Sequence, residues 1–227
     1  MKLLDRYLRD VRIAKARRFV RQGDVVVDVG CADGVMFERW SETIEYGYGV
    51  DPTLGEKREA SGYVLYPGAF PDALPEVRCD VITMLAVLEH IPEDRQAEAA
   101  AACHRILEPG GRVVITVPSP KVDSILGVLG RLRTIEGMSL DEHYGFDPAH
   151  TQRVFAPPAF RLVERRRFQL GLNNLFVFEK SGTGAPPEPQ RREWRIPRME
   201  KKKLPRTVCT PSISMVLDGI TIRRVSL

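Results

Sequence analysis

Asp28 interrupts a run of valines in VVVDVGCADG, the stretch from Val25 to Gly34, and the chain turns at two glycines directly after it. A glycine turn following an apolar run is a standard place for a nucleotide, because the bare backbone approaches the ligand closely. A dinucleotide fingerprint needs GxGxxG, whereas this turn reads Gly30, Ala32, Gly34 with Val35 where the third glycine would stand. A P-loop is excluded, since no GK[ST] follows. A carboxylate beside a phosphate repels it, and beside a cationic ligand it attracts. The stretch therefore reads as a cradle for a cationic, phosphate-free nucleoside.

Four further places carry residues with chemical capacity. Asp51, in YGVDP, lies 17 residues beyond Gly34, and the two oxygens of a carboxylate suit the two hydroxyls of a ribose. The ribose of a nicotinamide dinucleotide would satisfy that reading equally. His90, in LEHI, is a candidate general base, with hydrogen bonding of its own loop as the plainer role. In DEHYGFDPAHT, His143, Tyr144, Asp147 and His150 cluster, and His143 is a candidate contact for an acceptor or a helix-capping residue. The two histidines there stand seven apart without further ligands, so no metal site is expected. The four cysteines, Cys31, Cys79, Cys103 and Cys209, include no CxxC pair and read as reduced thiols.

These residues must be held by elements the sequence punctuates clearly. Apolar and basic positions alternate at helical spacing over residues 3–21, which predicts an amphipathic entry helix. Strands are expected at 25–29, up to Val50 with Gly47 and Gly49 packed closely, at 63–66, at 80–85 (DVITML), at 112–117, at 160–169 and at 174–180. Helices are expected from Val35 to Glu42 and from Glu93 to Leu107, the second closed by Pro109-Gly110-Gly111. Strands alternating with helices predict a doubly wound, mostly parallel seven-stranded α/β sheet with an antiparallel last strand, and a ligand crevice beyond the carboxyl ends of the strands.

The chain has 227 residues, 43% hydrophobic and 28% charged, which fits one core-sized domain plus an appendage. Residues 183–227 carry 10 Lys+Arg against 4 Asp+Glu and are rich in Pro without hydrophobic period, so 1–182 reads as the domain and 183–227 as a largely disordered basic tail. No apolar run reaches the roughly 20 residues of a membrane span, and the charged start is unlike a signal peptide; a cytoplasmic location is expected. The basic helix and tail admit weak peripheral contact with an anionic membrane. With Trp194 nearly alone among the basic residues of the tail, no nucleic acid partner is expected.

Taken together, the motifs resemble those of the class I S-adenosylmethionine-dependent methyltransferases, in the small-molecule branch termed type 11 or 12. Asp28, Gly30, Ala32 and Gly34 resemble motif I, Asp51 the acidic end of the second strand, GAFPDALP and DVITMLAVLEHIP the third and fourth motifs, and LEPGGRVVITVP the fifth strand with its preceding turn. The resemblance covers residues 25–118 and implies a Rossmann-like fold, S-adenosylmethionine as cofactor and a small-molecule acceptor. It implies cofactor contacts from Asp28, Gly30, Cys31, Ala32, Gly34, Asp51, Pro52, Ala69, Phe70, Leu85 and Ala86. Two positions depart from the family: Ala32 replaces its middle glycine, and Ala69 stands where many relatives carry an adenine-binding Asp. Asp72, or the backbone at Ala69 and Phe70, would then meet the adenine.

Methyl transfer from a sulfonium depends mainly on alignment, and a base matters only where the acceptor must lose a proton. The expected activity is methylation of a small molecule at O, N or C, with His90 and His143 as catalytic candidates. The alternative is a noncatalytic or regulatory protein that binds S-adenosylmethionine. A nicotinamide-dependent dehydrogenase is disfavoured by Asp28 and Val35. The sequence does not specify the acceptor or the oligomeric state.

Overall fold

The computed structural model describes residues 3–119 and 146–182. The apolar stretch 122–133, His143, Tyr144 and the tail from residue 183 lie outside the described residues.

The first helix, α1 (Leu3–Ala16), continues into a short 3-10 turn, Arg17–Phe19. Its buried face is Ile13 and Ala16, continued by Val20, with Leu8, Val11 and Phe19 half-buried. Nearly all the long cationic side chains thus stay at least partly in solvent while a short apolar ridge docks on the sheet. Strand β1 (Val25–Val29) leads through the glycine turn into α2 (Val35–Trp40), whose Met36, Phe37 and Trp40 are buried. Strand β2 (Tyr46–Asp51) passes under that helix. Any side chain at Gly47 would collide with the Phe37 ring, and a Cβ at Gly49 would lie 2.6 Å from Cys31 Sγ, which accounts for both glycines.

After β3 (Arg58–Ala60) and β4 (Tyr63–Pro67) come β5 (Cys79–Leu85), α3 (Glu93–Ile106) and β6 (Leu107–Pro118). The short helix α4 (His150–Val154) precedes β7 (Phe160–Phe168) and β8 (Asn173–Lys180). The eight strands form one sheet in the order β3-β4-β2-β1-β5-β6-β8-β7. Strands β4, β2, β1, β5 and β6 run parallel, and β8 enters antiparallel between β6 and β7. The order reverses at β1, so the crevice of a doubly wound sheet falls beyond the carboxyl ends of β1 and β5.

The expectation of seven strands is corrected to eight. Arg58–Ala60 adds an antiparallel edge to β4, a pairing made by the open edge of β4 and not by any apolar alternation in Arg-Glu-Ala. Where the sequence shows a turn before the fifth strand, β6 begins already at Leu107. Cys79 opposes Leu107 and Val81 opposes Arg112, so Pro109-Gly110-Gly111 bulges out within the strand and does not precede it.

Alternate residues of the central strands serve two buried layers. Val27, Val29, Ile82, Met84, Val113 and Ile115 pack towards α3, while Val26, Val81, Val114, Leu175 and Val177 pack towards α1 and α2. Asp28 shares the parity of the second layer. That alternation alone puts a carboxylate in the apolar space beneath α2.

Candidate functional site

The glycine turn is fixed from both sides. Gly30 donates its N–H to Val50 O at 2.8 Å, and Gly34 donates to Cys31 O at 2.9 Å. Gly30 has φ +76°, and a Cβ there would run into the Val87 side chain, so the first glycine is required both by its backbone and by its neighbour. Ala32 adopts φ +46°, the left-handed region, at the position where the related motif has glycine. Ala86, which follows β5, has φ +62° and donates its N–H to Thr116 O at 2.8 Å. Two alanines in strained backbone therefore stand at the ends of β1 and β5, facing the crevice.

Asp28 is 5% exposed, and its neighbour in the register, Thr83, donates its hydroxyl to Asp28 Oδ1 at 2.6 Å. Burial raises the Asp28 carboxyl to about 7; the Thr83 hydrogen bond opposes the rise and the Asp51 carboxylate adds to it. Asp51 is likewise buried at the end of β2. Its Oδ2 accepts from Ala32 N at 2.8 Å, and its Oδ1 accepts from Thr53 N at 2.8 Å and Thr53 Oγ1 at 2.6 Å. A carboxylate offers about four acceptor positions. Three are engaged here, and the one remaining is on Oδ2, so a single diol hydroxyl binds Asp51 without displacing the Thr53 hydroxyl.

Cys31 is buried against Gly49, with its thiol pushed up chiefly by burial and then by Asp28 and Asp51. It walls the turn and is no nucleophile. Pro52 is exposed directly after Asp51, and Leu85 and Ala86 are half-buried at the end of β5. Ala69 is exposed and Phe70 buried, after Gly68, whose N–H donates to Asp51 O at 3.1 Å. The structure thus brings Asp28, Gly30, Cys31, Ala32, Gly34, Asp51, Pro52, Leu85 and Ala86 to the carboxyl ends of three adjacent strands. Ala69 and Phe70 are tethered to the same place through Gly68. Asp72 is engaged elsewhere, in a 2.9 Å ion pair with Arg95 on the surface.

His90 closes a 3-10 turn, Leu88–His90, with its side chain exposed. The turn is secured from beneath by Gln96 of α3, which is 4% exposed. Its amide nitrogen donates to Ile91 O at 2.8 Å and Leu88 O at 3.3 Å, and its amide oxygen faces His150 Nε2 at 2.9 Å. Arg153 Nη2 lies 3.1 Å from His150 Nδ1 and can only donate, so the hydrogen of the neutral ring is on Nε2, pointing at Gln96.

Sequence reasoning missed Thr83, Gln96, Arg12 and Asn173, and it ranked Glu89 below His90 as a base; Arg12, Glu89 and Asn173 meet near the ends of β5 and β6. The signal for Thr83 is visible in retrospect, as a lone hydroxyl in the apolar run DVITML. For the others no local signal exists, because each partner comes from a distant part of the chain. His104, by contrast, packs edge-on to Phe160 at 5.6 Å between ring centres, the packing role its place in the Ala-rich helix implies.

A family model described as a methyltransferase domain matches residues 4–158. The ubiquinone biosynthesis O-methyltransferase of Pseudomonas paraeruginosa is 31% identical over 106 residues, covering 41% of this chain and 44% of that enzyme. The enzyme of the same name from Nitrosococcus oceani is 28% identical over 144 residues, covering 57% of this chain and 60% of its own length. The alignments thus span about half the length of these relatives. Among solved structures, the N-methyltransferase NodS of Bradyrhizobium japonicum with S-adenosyl-L-homocysteine superposes with a TM-score of 0.57 at 15% identity, covering 77% of this chain and 88% of that one. The 1,6-didemethyltoxoflavin-N1-methyltransferase of Burkholderia thailandensis gives 0.56 at 17% identity, covering 77% and 78%. At such identity the likeness is one of fold.

Proposed function

Because this chain belongs to the methyltransferase domain family, we propose that it uses S-adenosylmethionine to methylate a small-molecule acceptor. The observation that carries the reading is the pair of buried carboxylates flanking one glycine turn. Asp28 lies behind the turn and Asp51 is bonded to its middle residue through Ala32 N. A dinucleotide phosphate would meet repulsion from both, whereas a nucleoside bearing a sulfonium and an ammonium group meets attraction.

The residues present fit that cofactor. Asp51 retains one acceptor position for a ribose hydroxyl, Gly30 lets the turn close against Val87 where a Cβ would collide, and Leu85 and Ala86 offer a half-buried apolar flank. When bound, the cofactor supplies an activated methyl group on a good neutral leaving group. The protein's part is then to hold it, exclude water and align the acceptor. The relatives' names support a small-molecule acceptor: ubiquinone biosynthesis for the two aligned enzymes, 1,6-didemethyltoxoflavin for one structural neighbour. His90 and His143 are the catalytic candidates read from the sequence, the second outside the described residues.

The test has three parts. Calorimetric titration with S-adenosylhomocysteine and NAD in parallel should give binding of the former alone, and binding of NAD alone sinks the reading. Asp51→Ala should weaken S-adenosylhomocysteine binding by about 1–3 kcal/mol, from the hydrogen bonds it removes. Incubation with methyl-labelled cofactor and fractionated metabolites should then label a small molecule. Cofactor binding without any labelled product favours the regulatory alternative.

A further inference from the structure

We propose that Glu89, rather than His90, is the acceptor-side base of this site, and that Glu89 and Arg12 together select an acceptor bearing an acidic hydroxyl, phenolic or enolic. The inference rests on the methyltransferase reading and names the substrate class of the same site.

Glu89 is the middle residue of the turn that comes after β5, and Val87, two residues before it, packs against Gly30 of the glycine turn. The base is thereby placed next to the cofactor turn by a side-chain contact. Its Oε2 is shielded from solvent and has no hydrogen-bond partner among the described residues. A buried carboxylate oxygen without a donor is costly to keep unless something else supplies the donor. The charge of Arg12 of α1 acts on Glu89 without an ion pair between them among the described residues, while its guanidinium donates to Asn173 Oδ1 at 3.3 and 3.4 Å. Asn173 in turn donates to Gln169, whose amide nitrogen is also shielded and without an acceptor. Three segments that are distant in sequence thus converge on one edge of the sheet: α1, the turn after β5, and the turn between β7 and β8. They bring an unpaired acceptor, an unpaired donor and a cation. The carboxylate oxygen is therefore left open, closed off by no ion pair among the described residues.

Burial raises the Glu89 carboxyl to about 7, against the opposing pull of its own backbone N–H and of Arg12. Such a carboxyl exchanges protons at neutral pH, and its side chain is withheld from water more than that of His90, which is exposed. The charge pattern then chooses among nucleophiles. An amine acceptor arrives as an ammonium ion and meets the Arg12 cation. A neutral hydroxyl loses its proton to Glu89 and develops negative charge beside Arg12, which favours it. A phenol, at about 10, lies within a few units of such a base, whereas an aliphatic alcohol is far more weakly acidic. In the transfer step the O–H proton passes to Glu89 Oε2 and an oxygen–methyl bond forms. The methyl–sulfur bond breaks with its electron pair left on sulfur. A methyl ether, S-adenosylhomocysteine and protonated Glu89 result, and the proton returns to water.

The experiment uses the full chain and two probes of matched size, catechol and benzylamine, with methyl-labelled S-adenosylmethionine. Calorimetry with S-adenosylhomocysteine comes first: absence of binding overturns the methyltransferase reading itself, whatever the labelling of the two probes shows. With binding established, label should enter catechol at least ten times faster than benzylamine. Glu89→Gln should lower the catechol rate by about 100-fold or more, with S-adenosylhomocysteine affinity within twofold and the melting temperature not reduced. Arg12→Gln should shift the rising limb of the pH–rate profile upward by about one unit, a readout that a packing role would not move. Preference for benzylamine, labelling of neither probe, a Glu89→Gln rate within threefold of wild type, or a larger loss in His90→Gln than in Glu89→Gln would overturn the proposal.

Discussion

Ala32 holds a backbone conformation that glycine adopts freely and other L-residues adopt at a penalty of roughly 1–2 kcal/mol. It is kept there by Asp51, which accepts from its N–H. Ala32→Gly should therefore raise the unfolding free energy of the cofactor-free protein by up to about 1 kcal/mol, after the added freedom of glycine in the unfolded chain is subtracted. A urea midpoint lower than that of the wild type would refute the strain argument. Asp28 makes a second residue-scale prediction. Its folded-state carboxyl, at about 7, stands above the ordinary 3.8, so the native state holds the proton more tightly than the unfolded state. The stabilising contribution is complete below about pH 4 and is lost as pH rises through about 7, a change on the order of 4 kcal/mol. Asp28→Asn should remove that decline, leaving the apo protein more stable than wild type at pH 8 yet weaker in binding S-adenosylhomocysteine. Melting curves at pH 5 and pH 8 for both proteins decide it, and parallel behaviour of the two would contradict the assignment.

The elements were legible in the sequence where apolar runs end at glycine or proline. Val25–Val29 and Tyr46–Asp51 obey that rule, Cys79–Leu85 is legible as an almost unbroken apolar run, and α3 ends where the Ala-rich segment gives way before Pro109. What sequence could not show is whatever a partner strand or helix decides: the edge strand Arg58–Ala60, the bulge at Pro109–Gly111, and the choice of Ile13 and Ala16 as the buried face of α1. The site divides in the same way. Its contiguous half, from Asp28 to Gly34 with Asp51, is written in short motifs, whereas Arg12, Glu89 and Asn173 become neighbours only after three segments fold together. Gln96 shows how an element supports that second half. Its two donated bonds hold the carbonyls at either side of Glu89 and His90. Gln96→Ala should reduce stability by about 2 kcal/mol and speed amide exchange in residues 86–92 well beyond the global change. Exchange confined to the global increment would show that the turn holds its shape unaided.

For the whole molecule, the carboxyl edge of the sheet is where burial and polarity conflict. Two carboxyls near 7, two alanines with positive φ and the unpartnered Glu89 Oε2 gather there. A ligand that neutralises part of this conflict should stabilise the fold visibly. At 100 times its dissociation constant, S-adenosylhomocysteine should add about 2.7 kcal/mol and raise the melting temperature by roughly 5–10 °C. A shift under about 1 °C at saturation would mean that the site does not bind in the folded state as described. Among the described residues no helix is long and apolar enough to cross a membrane.

The described chain leaves the sheet at Pro118 and Ser119 and resumes at Phe146, just ahead of α4, and both points are clamped. Pro118 pairs with Asn173, Ser119 donates to Leu172 O at 2.8 Å, and His150 is bonded to Gln96. Residues 120–145 are thus bounded by two anchors that do not depend on their own sequence. For an engineer this marks Ser119 and Phe146 as junctions: a segment exchanged between them leaves both clamps in place.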